Sequence, residues 1–238
     1  MQLVRSLAFN ASIYVMMLIL AVLFFPMAVF SRDWAHRACH VWCAYVIWAA
    51  GWMVGLKSEV RGVPPDGEVM IAAKHQSFFD IILIYNAVPR GKFIMKRELM
   101  FAPILGQYAL RIGCVPVNRG KRGAAIAKMK QDVERGRADP GQLIIYPQGT
   151  RVAPGDKKPY KAGTGALYQQ VGQTCVPAAT NVGHFWPKRG FLRRPGTAVV
   201  EFLPSIEPGL GIKEFMERLE QEVEASSEAL LSEARGTR

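Results

Sequence analysis

The sequence predicts an α/β fold: a mixed, largely parallel sheet flanked by helices, preceded by an N-terminal membrane-associated helical hairpin. Three observations lead there. The first fifty-six residues are almost uncharged, with three Lys or Arg against one acid. From Lys57 onward, short β-branched runs alternate with helical segments, as strands covered by helices on both faces require. Half of the 238 residues are hydrophobic, enough for a sizeable core without disulfides. The chain divides into a hairpin over 1–56 and an α/β domain over 57–238.

In order along the chain, "LAFNASIYVMMLILAVLFFPMAVF" (7–30) is uncharged and long enough to cross a bilayer. After the polar link "SRDWAHR" comes the shorter, tryptophan-rich "ACHVWCAYVIWAAGWMVGL", and the pair reads as a hairpin. Trp34, Trp42, Trp48 and Trp52 suit the headgroup boundary, where a ring can have one wet edge. No small-x-small cleavage site follows the first stretch, and the second argues for retention over removal as a signal peptide. Two depths stay open, a double span or a hairpin half-sunk in one leaflet. Both leave the body on the side of the amino terminus.

In the body, "KSEVRGV" and "EVMIAAK" read as strands around the turn "PPDG". "SFFDIILIYNAV" reads as a helix ended by Pro89, "KFIMK" as a strand, and "ELMFAPILGQYALRIG" as a helix interrupted by Pro103. "CVPVNR" is a strand and "GAAIAKMKQDVERG" a helix stopped by Gly136. "QLIIYPQGT" is a strand running into a turn, followed by the helix "GTGALYQQVG". "TCVPAATNVG" and "GTAVVEFLP" are further strands. The tail repeats apolar residues at helical spacing (Ile212, Phe215, Met216, Leu219, Val223). Its polar face is rich in glutamate, which an anionic bilayer would repel, so it is expected to pack on the core.

The net charge of +11 is uneven. Residues 57–140 carry fifteen Lys or Arg against eight acids and residues 141–204 eight against two, whereas residues 205–238 carry four against eight. A cationic middle suits a phosphate, an acidic protein or an anionic membrane. With an apolar hairpin attached, a membrane is favoured and nucleic acid is not an expected partner. Cys39, Cys43, Cys114 and Cys175 form no C-x-x-C pair, so they read as reduced, with no zinc site, in a body facing the cytosol. "HFWPKRGFLRRPG" interleaves Phe185, Trp186, Phe191 and Leu192 with four Lys or Arg and His184. It fits an interfacial loop dipping into lipid and an ordinary β-connection equally.

The stretch with the most chemistry is "AAKHQSFFD" (72–80). On one reading Ser77 caps the next helix and Asp80 is its N3 residue, an S-x-x-D capping pattern. On the other, His75 lies in the loop leading in and Asp80, one turn inside, reaches back to the imidazole. That contact fixes the tautomer and leaves the other ring nitrogen as a general base. Such a base is worth roughly 10²–10⁴ in rate.

These blocks together resemble the glycerophospholipid acyltransferases, in particular bacterial 1-acyl-glycerol-3-phosphate acyltransferases. "HQSFFD" matches an H-x-x-x-x-D block. "KFIMKRELMFAPILGQ", with Lys96, Glu98, Leu99, Pro103 and Gly106, resembles a second, and "CVPVNRG", with Arg119, the segment after it. "YPQGTR" resembles a third block and "CVPAATNVG" a fourth, so the likeness runs from about Lys57 to Pro204 in order. It implies that His75, with Asp80, takes the proton of an acceptor hydroxyl attacking a thioester carbonyl. It implies phosphate contact by Arg151, whose guanidinium fork suits bidentate binding. Gln148, Gly149 and Thr150 form that turn and, with Lys96, Arg97, Arg119 and Lys161, are further substrate-binding candidates. A solvated surface charge is the alternative for each cation.

Gln148 departs from the pattern, which usually has glutamate there. Glutamine keeps an acceptor and adds donors but removes the charge. The implied reaction makes phosphatidic acid from lysophosphatidic acid and an acyl carrier protein or coenzyme A thioester, without metal or cofactor. The implied setting is the cytoplasmic side of a bacterial inner membrane. Acylation of another lysolipid, such as a lyso-ornithine lipid, and a catalytically silent lipid-binding module are the alternatives. Gln148 is the feature that points to the last.

Overall fold

The computed structural model describes residues 1–117, 131, 134–135 and 141–236. It opens with an antiparallel hairpin, α1 (Gln2–Phe30) and α2 (Arg32–Ala49), continued by a π-helical turn, Ala50–Val54. The polar stretch expected to link the two helices is instead the first turn of α2. Ser31 alone leaves helical geometry (φ −134°, ψ 131°), and Asp33 sits in the first turn, where a carboxylate complements the helix dipole.

Among the described residues seven strands follow: β1 (Leu56–Arg61), β2 (Met70–Ala73), β3 (Gly91–Lys96), β4 (Val115–Val117), β5 (Gln142–Ile145), β6 (Cys175–Thr180) and β7 (Gly196–Phe202). Their order is β1-β7-β6-β2-β5-β3-β4, and every pairing is parallel except β6 with β7. The helices are α3 (Phe79–Ala87), α4 (Leu105–Arg111), α5 (Gly163–Val171) and α6 (Ile212–Gly236). The helix expected over 98–113 is split. A 3₁₀ turn, Arg97–Phe101, precedes Pro103, and Ile104 takes a left-handed φ of 64° before α4 starts. The helix expected over 123–136 falls mostly outside the described residues.

Side-chain alternation along β2 sorts the core into two layers. Ile71 and Ala73 face α3 and the hairpin, in one cluster with Phe9, Ile13, Val46, Phe79 and Ile82. Met70 and Ala72 face α5 and α6, with Leu167, Tyr168, Phe215, Leu219 and Val223. The hairpin therefore shares a core with the sheet. Its tryptophans divide: Trp48 and Trp52 are 60% and 70% exposed, but Trp42 is partly buried and its indole N–H donates to the Ile13 carbonyl at 2.9 Å. Trp42 is a seam residue, not a boundary one. Gly165 lets α6 approach α5, since a Cβ there would lie 2.7 Å from the Ile212 side chain.

Candidate active site

Strand register sets the site. Ala72 on β2 pairs with Ile145 on β5, and Phe93 on β3 with Ile144, all in parallel. The segments that follow these strands, from Lys74, from Tyr146 and from Lys96, therefore leave the sheet at one edge. The carboxyl edge of parallel strands is where open α/β sheets hold ligands.

The alternation of β2 continues past its end, so Lys74 turns toward α6 and His75 toward α3. His75 Nδ1 lies 2.9 Å from Asp80 Oδ1. Asp80 is fully buried, and its Oδ2 accepts the backbone N–H groups of Gln76 (2.8 Å) and Ser77 (2.6 Å). Ser77 Oγ in turn accepts the Phe79 N–H at 3.1 Å. The two sequence readings of this stretch thus merge: one carboxylate caps the start of α3 and holds the imidazole. An ionised carboxylate is an acceptor only, so Nδ1 donates and Nε2 keeps its lone pair. The helix itself starts at Phe79, one residue later than a Ser77 cap implies, and Phe78 before it is already in helical geometry.

The ring is 13% exposed and stacks on Tyr146, with centroids 4.0 Å apart and planes 19° from parallel. Tyr146 is the residue after β5, so the strand that leads to the cationic turn also backs the imidazole. Burial first, then the charge of Asp80, pushes its phenol well above the usual range, so it stays protonated.

The turn after β5 is pinned to the same place. Val152 N–H donates to the His75 carbonyl at 2.8 Å, which brings the Gly149–Arg151 backbone alongside the histidine. Gly149 has φ 67°, and a Cβ there would lie 2.8 Å from Lys161 Nζ. The left-handed φ favours glycine, and the lysine ammonium lies directly above it. Lys161 N–H donates to the Pro147 carbonyl at 3.0 Å, closing the loop on itself. Beyond it a cavity of about 580 Å³ is lined by Thr150, Arg151, Lys157, Lys158, Lys188 and Arg189 among others, with Asp156 as its acid. Lys188 Nζ lies 3.0 Å from the Arg151 carbonyl.

The structure thus brings His75, Asp80, Gly149, Thr150, Arg151 and Lys161 together. Gln148 is buried at 1% exposure beneath the turn, not facing the cavity. Lys96 and Arg97 sit at the same sheet edge but are exposed, and Lys96 pairs with Glu98 at 3.1 Å, half in solvent. Arg119 lies outside the described residues. Sequence reasoning passed over Tyr146, Lys188 and Arg189 as site residues. Tyr146 had a visible signal, as the aromatic residue opening the "YPQGTR" turn. In the "HFWPKRGFLRRPG" stretch Phe185 and Trp186 are buried, whereas Phe191 is 67% exposed.

A histidine held by a buried carboxylate, at the carboxyl edge of a parallel sheet beside a cationic turn, has the geometry of a general base set next to an anion site. The chain belongs to the Acyltransferase family, whose sequence model matches residues 57–181. It is 28% identical over 167 residues to a 1-acyl-sn-glycerol-3-phosphate acyltransferase of Pseudomonas aeruginosa, covering 69% of this chain and 65% of that protein. It is 30% identical over 158 residues to one of Limnanthes alba, covering 65% and 56%. It thus spans less than two thirds of the length of these relatives. The fold is similar to that of the crystal structure of the 1-acyl-sn-glycerophosphate (LPA) acyltransferase PlsC from Thermotoga maritima. That match has a TM-score of 0.80 at 21% identity and covers 97% of this chain and 98% of that one.

Proposed function

We propose that the chain transfers a fatty acyl group from a thioester to the free hydroxyl of lysophosphatidic acid, giving phosphatidic acid. The observation that carries this is the His75–Asp80 contact held next to the Arg151 turn by the Val152 N–H bond. Nε2 of His75 takes the hydroxyl proton as the oxygen attacks the thioester carbonyl. The C–O bond forms, the C–S bond breaks, and the imidazolium returns its proton to the leaving thiolate. Arg151 and Lys161 hold the acceptor's phosphate, which places the hydroxyl within reach of the base. The donor is an acyl carrier protein or coenzyme A thioester. The relatives' names support lysophosphatidic acid over other lysolipids as acceptor.

The reaction takes place at a membrane surface. Helix α1 is the one described helix long and apolar enough to cross a bilayer. It is about 44 Å long by helix geometry, yet it is fastened to the body at both ends. Gln2 Nε2 donates to the Val54 and Arg193 carbonyls, while Tyr108 and Arg111 donate to the Ala21, Ala28 and Val29 carbonyls. These bonds support a helix that stays against the body rather than one that leaves it to cross a bilayer. We therefore place the hairpin in one leaflet, its outward residues in lipid, on the cytoplasmic face of the inner membrane.

The test is transfer by detergent-solubilised protein, with lysolipid acceptors and both thioesters compared. His75→Ala should lose roughly 10²–10⁴ in rate. Arg151→Ala should chiefly raise KM, by about tenfold or more, for phosphate-bearing acceptors only. Undiminished transfer in His75→Ala would remove the assignment.

A further inference from the structure

Lys74 precedes His75 and is 3% exposed. An ammonium buried that deeply requires a counter-charge. It comes from the far end of the chain: Nζ lies 2.5 and 2.6 Å from the two oxygens of Glu224 on α6. The same Oε1 accepts the Tyr160 hydroxyl at 3.0 Å and Gln148 Nε2 at 3.4 Å. Gln148 Nε2 also donates to the Lys158 carbonyl at 3.2 Å.

The Gln148 amide therefore faces two acceptors. Its own Oε1 is buried with no hydrogen-bond partner among the described residues. A carboxylate at 148 would aim an oxygen at both the Lys158 carbonyl and Glu224, and would put a second negative charge beside one ammonium. These neighbours select an amide at 148 and a carboxylate at 224.

Three of the four residues adjoin parts of the site. Lys74 is bonded to His75, Gln148 leads into Gly149–Arg151, and Tyr160 is bonded to Lys161. We infer that Glu224 is a positioning residue of the acyl-transfer site. Its carboxylate ties the end of β2 to the 147–161 loop, and so fixes the phosphate-holding turn relative to the His75 base. This deepens the proposed function and rests on it. It also gives Gln148 a role: the charge that its turn lacks is supplied by α6.

Three variants test this: Glu224→Gln, Gln148→Glu and the double exchange. Transfer kinetics, thermal midpoint and deuterium exchange over 146–161 are measured for each. Glu224→Gln is nearly isosteric but leaves the buried Lys74 ammonium without its counter-charge, so its midpoint should fall by roughly ten degrees, and kinetics are read well below it. It should lose roughly 10–100-fold in kcat/KM and exchange faster over 146–161, because small misplacements of reacting groups are expensive. Gln148→Glu alone should also fall. The double exchange, with one carboxylate again beside Lys74, should recover at least tenfold over Glu224→Gln and regain protection. A helix that merely props the fold would lower the midpoint while kcat/KM and exchange over 146–161, read well below that midpoint, stayed near wild type. Wild-type exchange and kinetics in Glu224→Gln, or a double variant as poor as the product of the singles, would overturn the inference. A wild-type protein that acylates no lysolipid would defeat the proposed function instead, and the exchange data would then decide this inference alone.

Discussion

Helices α1 and α6 are the two long helices at opposite ends of the chain, and they cover opposite faces of one sheet. Their inward sides are alike: Phe9 and Ile13 on α1, and Phe215, Leu219 and Val223 on α6, are all essentially inaccessible. Their outward sides share nothing. On α1, Val15, Leu18, Ile19 and Val22 are all more than half exposed. On α6 the outward positions hold Lys213, Glu217 and Arg218, with ion pairs to Glu217 and Glu222 at helical spacing. Inward residues report the core, which is equally apolar on both sides. Outward residues report the solvent, and the two helices are built for different ones.

The comparison breaks or holds by substitution. The inward equivalence predicts that Phe9→Ala and Phe215→Ala each cost about 3–5 kcal/mol in detergent, read from denaturant midpoints. A Phe9 variant costing under about 1 kcal/mol would mean that α1 is not core at all.

Acid should separate the two faces next. His36, on α2 against Tyr85 of α3, is buried, and burial first, then Arg90 and His40, lowers its pKa from the usual 6.5 to about 4. A depressed folded value means that the unfolded chain binds the proton more readily. The neutral ring's contribution is thus present above pH 6.5 and is lost as pH falls toward 4. The loss should reach about 3 kcal/mol, with deuterium exchange rising in the α2–α3 seam before it rises in α6. Equal loosening of both would remove the assignment.

Outward charge comes third. Leu18→Glu should weaken binding to anionic vesicles by about 2 kcal/mol, read by co-sedimentation, with little change in detergent stability. The smallest effect belongs to Glu217→Gln on α6, which should stay within about 0.5 kcal/mol in both assays. Vesicle binding that follows Glu217 and ignores Leu18 would reverse the assignment of solvents.

What could be read in the sequence follows the range of each interaction. The strand and helix alternation was legible because period-2 and period-3.6 patterns are local. So was the His75–Asp80 contact, whose partners are five residues apart. The start of α2 was hidden, because the charged first turn of a helix looks like a link when a single residue, Ser31, does the breaking. Trp42 was misjudged for a similar reason: its neighbours in sequence are apolar whether it meets lipid or α1. Gln148 looked like a defect because its partner Glu224 lies 76 residues on, and no periodicity joins the two.

The pairing of Lys74 with Glu224 also has a consequence in time. The two residues are 150 positions apart, so a ribosome adds 150 further residues after the ammonium before its partner exists. At about 5–20 residues per second, the β2 edge waits roughly eight to thirty seconds during synthesis for α6 to arrive. A nascent chain released early would hold the histidine and the cationic turn but lack the clasp between them.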